Sequence, residues 1–468
     1  MRLPRRQDFL LNLSRVIPNE KVHLPCEVLM NDNAAIFQRR KLAVTLGIMG
    51  GGMLLALIWH FYQGAVLGAG YPYNTFLFLP TARFSDYSDT LSMAMLPNPY
   101  VEPDIPYLPF SWIVLRPLTL LPCAVSIILV YFISLAVLAI VLDKVLDSVV
   151  VNPWLRVCSS YLLMGLSFPL LLCIDRGNIE IVMAMLIATA IYFFSRGKYV
   201  NGTLWLFPAI CMKLYPALLL VLLVRQRKLL LAASAVVLFV AVTLLSLNIL
   251  SLSYETTWAL YLRNAHYYSD IYVYENHALE GSASLWNCYK VGLISAAYMQ
   301  LIPPVDFSFD ANFIRTSYAI YSTGMALLAA TLVIYVCLVE KEFLRCAAVL
   351  LLFMTISAPS GADYRLLYSG MALVSLIILR TNRPHDWLVV IPLALTMVPK
   401  KEILLTFAGR TESNAADVSI QVLLNPLCVG AAIALLLYDA WRVSDLKWSA
   451  QRLFGLRNSA FGWLRLHN

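Results

Sequence analysis

Apolar runs of about 15–25 residues recur along the chain, each closed by a short polar or basic stretch. Runs of this length predict membrane-crossing helices, since about 20 apolar residues cross a bilayer and lipid leaves no other partner for the backbone. Barrel strands would be shorter and would alternate. The pattern places spans at about 42–63, 122–142, 154–174, 179–195, 229–250, 317–339, 344–359, 366–379, 387–398 and 419–440. The expected fold is all-α, a polytopic transmembrane helical bundle of roughly 10–13 membrane segments.

Residues 199–224 break the simple count. Arg196 and Lys198 precede them and Arg225, Arg227 and Lys228 follow, so both ends read as cytoplasmic by the positive-inside rule. Roughly 26 residues are too few for two crossings. A re-entrant helical hairpin broken near Lys213–Pro216 resolves this, because proline ends or kinks a helix and broken helices are tolerated where they line a cavity. The competing answer is one full span that violates the charge rule. The same rule makes residues 1–41 a cytoplasmic basic N-terminus and 442–468 a cytoplasmic basic tail, with the transmembrane domain over 42–441. The first apolar run starts later and runs longer than an ordinary cleaved signal peptide. FLLNLSRVI near the start and WSAQRLFGLRNSAFGWLRLHN at the end have the composition of interfacial helices.

This topology sorts the polar features by side. Two long loops, about 64–121 and 251–315, fall on the outer face, together with DRGNIE at 175–180 and GADYR at 361–365. The aromatic and apolar content of the first loop predicts short surface helices in place of disorder. In the second, the apolar stretch 291–302 is too short to span.

Composition narrows the class. The chain is 60% apolar and only 13% charged, where a soluble domain carries about 25%. The net charge of +8 follows the Lys and Arg of the connecting loops and implies no nucleic-acid partner. Nine cysteines form no CxxC or Cys/His cluster, which argues for small buried hydrophobes over a zinc site or a disulfide framework. With no P-loop and no GxGxxG, no nucleotide cofactor is expected, and no metal is assigned.

Four outer-face clusters carry the candidate chemistry. Asp86 and Asp89, in RFSDYSDT beside Phe84 and Tyr87, are candidate general bases, with Glu102 and Asp104 further along. Loop solubility is the plainer explanation for any one of them. Asp175, Arg176, Asn178 and Glu180 form the second cluster. A helix beginning near Gly177 would put Arg176 and Glu180 on one face, where the guanidinium suits a phosphate and Asn178 and Glu180 suit sugar hydroxyls. An internal ion pair is the alternative. Lys213, with Tyr215 and Pro216, lies deep in an apolar run, which favours a cavity-facing lysine holding an anion. Asp363, Tyr364 and Arg365 stand at the mouth of a late span, as a site or as an interfacial anchor. His266 and His277 of the second loop complete the set, without metal-ligand spacing.

In order along the chain, FSDYSD, IPYLPFSWIVLRPLTLLP, RGNIE, MKLYP followed by RQRK, and SAPSGADYRLLY resemble the GT-C superfamily of polytopic membrane glycosyltransferases, in particular glycosyltransferase family 87. The resemblance covers about 42–380. It implies a bundle of GT-C type in the cell (inner) membrane, with its site facing the periplasm or cell exterior. It also implies transfer of a hexose, mannose being the commonest, from a polyprenyl-phosphate donor to a glycan or glycolipid acceptor of the cell envelope. Asp86, with Asp89 second, is implied as the base of an inverting displacement. Arg176, Lys213 and Arg365 would then face the donor phosphate, and Asn178, Glu180, Tyr215, Asp363, Tyr364, His266 and His277 the sugar or acceptor. Where many relatives carry a His-Tyr pair, this chain has Asp363-Tyr364-Arg365. The rival classes are a transporter or lipid flippase, which would also carry broken helices and intramembrane charge, and a structural membrane protein. Neither repeat symmetry nor mid-span acids support the first, and the second has no need of Lys213.

Overall fold

The structure is a computed structural model describing residues 26–70, 83–102, 107–250, 253–274, 279, 281–301, 311–381, 383, 385–400, 404–407 and 416–443. The helices are α1 (Cys26–Phe61), α2 (Ser85–Met95), α3 (Pro109–Leu115), α4 (Cys123–Leu146), α5 (Pro153–Gly165), α6 (Phe168–Arg176), α7 (Glu180–Ser195) and α8 (Tyr199–Met212). They continue as α9 (Val221–Arg225), α10 (Leu229–Leu250), α11 (Tyr254–Ser269), α12 (Leu285–Tyr298), α13 (Ala311–Ile334), α14 (Phe343–Ile356), α15 (Leu366–Ile377), α16 (Asp386–Thr396) and α17 (Gln421–Val443). The expected helical bundle is what forms. The loop expected at 64–121 contains the short helices α2 and α3, and that at 251–315 contains α11 and α12. One small antiparallel pair departs from the helical pattern, β1 (Leu404–Phe407) on β2 (Ala416–Ser419), with Leu404 opposite Ser419.

Among the described residues five segments are long and apolar enough to cross a membrane: Ala34–Val66, Cys123–Leu146, Leu229–Leu250, Asn312–Val339 and Gln421–Arg442. Outer helices such as α4 and α10 expose large apolar side chains, among them Ile128, Phe132, Val237 and Leu245, as lipid-facing helices must. At the centre, α14 is buried from Arg345 to Ile356, and α7 and α15 are buried over most of their length. The spans expected at 179–195, 344–359 and 387–398 are shorter apolar helices. The 14 residues of α14 reach about 21 Å, short of the hydrocarbon thickness of about 30 Å.

Two spans differ from their expected form. The first begins at Cys26, well before Leu42. The Arg39-Arg40-Lys41 triplet is helical because Lys41 turns inward, where its Nζ lies 2.7 Å from Asp386, itself 2.5 Å from Arg345. The span expected at 154–174 is bent by 61° between α5 and α6, where Pro169 enters the first turn of α6. The stretches FLLNLSRVI and WSAQRLFGLRNSAFGWLRLHN lie outside the described residues.

Residues 199–224 form the hairpin. Helix α8 ends at Met212, Lys213 is extended, and a 3-10 turn over Tyr215–Leu220 leads into α9. Lys228 Nζ lies 5.5 Å from the Tyr199 ring, so the segment returns to where it started. The break follows from Pro216, which has no N–H to offer the Met212 carbonyl. That carbonyl accepts instead from Ser111 Oγ of α3 at 3.0 Å. The return end is tied by Arg225, whose guanidinium donates to the carbonyls of Val336, Glu340 and Lys341.

Candidate active site

Helix α6 stops at Gly177, whose φ of +69° suits glycine. Gly177 N–H bonds Ile174 O at 3.1 Å and Asn178 N–H bonds Cys173 O at 2.9 Å, a Schellman closure. Arg176 and Glu180 consequently lie on two helices and do not share a face, which corrects the expectation of a common helix. The Asn178 amide does two jobs. Its Oδ1 accepts the Glu180 N–H at 3.0 Å and caps α7, while Nδ2 donates to Asp86 Oδ2 at 2.7 Å. Tyr131 of α4 donates to the Asn178 carbonyl at 2.9 Å and fixes the turn from behind.

Asp86 stands in the first turn of α2. Phe84, just before that helix, takes φ +57° and is anchored by its N–H on Asp175 O at 2.7 Å. Arg176 Nη2 donates to Asp86 Oδ1 at 3.0 Å. Each Asp86 oxygen thus has one donor, and a carboxylate offers about four lone-pair positions, so both retain capacity. The Asp86 side chain is 22% exposed. Asp89, one turn on, is exposed, and among the described residues no hydrogen bond or ion pair holds it.

A second group surrounds Glu180, which is fully buried. Lys213 Nζ lies 2.6 Å from Oε1, Tyr215 hydroxyl 2.6 Å from Oε2, and the Tyr368 hydroxyl of α15 also donates to Oε2. The two tyrosine hydroxyls are 2.6 Å apart. Lys213 also lies 5.0 Å from the Tyr107 ring, and the Arg365 guanidinium 4.7 Å from the Tyr215 ring. Tyr107 is held by α11 at one remove. Arg263 and Asn264 donate to carbonyls of residues 100–102, and Tyr100 hydroxyl donates to Tyr107 O at 2.9 Å. Burial pushes the Tyr107 hydroxyl pKa up, with the negative charges of Glu180 and Asp86 adding to it. The Tyr364 hydroxyl is raised in the same way, by burial first and then by Tyr268, Asp86, Tyr107 and Glu180. Both are therefore neutral hydrogen-bonding groups at neutral pH.

The marked residues divide accordingly. Asp86, Arg176 and Asn178 form one contiguous group, and Glu180, Lys213, Tyr215 and Arg365 form the next, joined through Asn178 at the start of α7. Tyr364 and Arg365 share a 3-10 turn with Asp363. Asp363 itself is fully buried, its N–H on Gly281 O at 3.0 Å and its carboxylate accepting from Gln421 of α17, so it packs the second loop against α17. His266 is exposed on α11, and His277 lies outside the described residues. Tyr107, Tyr268 and Tyr368 were not singled out from sequence. The available signal was a tyrosine near a marked residue in each case, three after Asp104, two after His266 and three after Arg365. Among the described residues no three His, Cys, Asp or Glu side chains gather as a metal site.

The arrangement offers an accessible oriented carboxylate beside three partly exposed cations and a set of tyrosines. The family model for glycosyltransferase family 87 matches residues 106–360, more than half of the chain. The matched stretch takes in Arg176 to Glu180, Lys213 and Tyr215 and leaves Asp86 and Arg365 outside. No curated protein and no solved structure matches the chain.

Proposed function

The chain belongs to glycosyltransferase family 87, and from that premise we propose that this membrane glycosyltransferase moves a hexose, mannose first among candidates, from a polyprenyl-phosphate donor to a glycan or glycolipid. The transfer takes place on the outer face of the cell membrane. Asp86 is the general base. The acceptor O–H gives its proton to the Asp86 carboxylate as its oxygen bonds the anomeric carbon. The bond from that carbon to the phosphate oxygen breaks on the opposite side, and polyprenyl phosphate departs with the electron pair. In-line displacement inverts the anomeric centre. Positive side chains in a water-poor cleft favour the departing anion.

One observation carries this reading: the Asp86 carboxylate is oriented on both oxygens by Arg176 and Asn178, yet stays accessible beside the Glu180 group. Orientation of this kind is what a positioned base requires. Asp89 has no comparable support, so Asp86 is preferred over it. The test is a transfer assay on the purified chain with a panel of polyprenyl-phosphate hexoses. Asp86→Asn loses about 10²–10⁴-fold in turnover, while Asp89→Asn stays close to the starting protein. Full turnover by Asp86→Asn removes the proposed base, and lipid movement across vesicles without sugar transfer favours a transporter.

A further inference from the structure

Three cations stand in these two groups, and two are already committed to carboxylates. Arg176 is paired with Asp86 at 3.0 Å and Lys213 with Glu180 at 2.6 Å. Arg365, half-buried, has no carboxylate within ion-pair distance among the described residues, and its guanidinium lies over the Tyr215 ring. The Lys213 ammonium has little left to give. Its side chain is 17% exposed, Glu180 occupies one side, and Tyr107 covers another. Moving Lys213 onto a substrate would strip its cation from a fully buried carboxylate, and removing one partner of a buried pair is strongly destabilising.

We infer that Glu180 is a positioning residue whose grip on Lys213, Tyr215 and Tyr368 locks the tip of the broken hairpin, and that Arg365, carried on the Tyr215 ring, is the cation that meets the leaving phosphate. Lys213 serves Glu180 in this scheme and is not a phosphate ligand. A guanidinium stacked on a ring keeps its edge N–H groups free, and these match a phosphate in bidentate fashion. Tyr215 links the two parts, since its hydroxyl is fixed on Glu180 and its face supports Arg365. The assignment of Arg365 rests on the lipid-phosphate donor proposed above. The lock does not.

The test uses the full chain in detergent, with farnesyl phosphate as a soluble stand-in for the leaving group, and reads affinity and apparent melting temperature together. Arg365→Gln lowers affinity about 10–100-fold, with an unchanged melting temperature, and Arg365→Lys falls between. Glu180→Gln and Lys213→Met each lower the melting temperature and the affinity. The double variant Glu180→Gln with Lys213→Met, an uncharged pair, recovers both above either single change. If Lys213→Met and the double variant lose affinity equally while Arg365→Gln keeps it, Lys213 is the phosphate ligand and the inference is overturned. Should the unaltered chain ignore farnesyl phosphate, the lipid-phosphate donor fails and the role of Arg365 fails with it. The lock is then decided by melting alone: recovery in the double variant supports it, and a double variant no better than the worse single one overturns it.

Discussion

Gly177 is the position where a single added carbon tests the assembly of the site. A Cβ there would lie 2.9 Å from Tyr87 Cβ, 3.0 Å from Phe84 Cα and 3.3 Å from Phe84 O. Two of these are backbone atoms of the residue that leads into α2, so a side-chain rotation cannot clear them. Gly177→Ala takes on the left-handed strain of a non-glycine residue, about 1–2 kcal/mol, and an overpacking cost of about 1–3 kcal/mol. Gly197 supplies the control, because it has a similar φ of +72° and no atom within 4 Å of its Cβ position. Gly197→Ala takes on the strain alone. Relief at Gly177 requires α2 to move away and to draw Asp86 off Arg176 and Asn178. A misplacement of about 1 Å at a reacting group costs about 100-fold in rate. The expected result, from melting curves and transfer assays on both variants, is that Gly177→Ala melts below Gly197→Ala and loses about two orders of magnitude in turnover. Equal melting and equal turnover in the two variants would refute the claim that this turn holds the base in place.

Further outcomes follow from other contacts. Asp386→Ala leaves Lys41 and Arg345 buried without their shared carboxylate, a loss of about 3–5 kcal/mol, read as failure to recover a monodisperse protein. Ser111→Ala deprives the Met212 carbonyl of its donor, costing about 1–3 kcal/mol and lowering the melting temperature without changing the charge of the cleft. Single cysteines at Asp89 and Lys198, both exposed, placed in a background lacking the exposed Cys123 and Cys158, label from opposite sides of intact cells, Asp89 from outside. Labelling of both from one side contradicts the proposed topology.

Lipid makes the fold legible in sequence, because a crossing helix must be long and apolar whatever it packs against. Residues 229–250 form α10 over those same limits. The hairpin was legible because Pro216 must break a helix and the flanking charges must share a side. Lys41, in the basic stretch just before Leu42, is buried against Asp386, and its neighbours in sequence do not record that. A basic residue beside an apolar run looks like an anchor until its distant partner, Asp386, is known. Pairings across the chain were not legible at all. Asp86 meets Arg176 and Lys213 meets Glu180 because α2, α6, α7 and α8 converge, and no local spacing records that. The expected Arg176–Glu180 face failed on Gly177, which ends one helix before the next begins. Asp363 reads as a site residue or an interfacial anchor at the mouth of a span, yet it is buried under Gln421, a contact that depends on α17 folding back.

The central claim is a direct displacement at an anomeric carbon with Asp86 as base, and the anomeric configuration of the product tests it most directly. With any polyprenyl-phosphate hexose that the purified chain accepts, NMR of the product is predicted to show the configuration opposite to that of the donor. A product that keeps the donor's configuration would contradict the account.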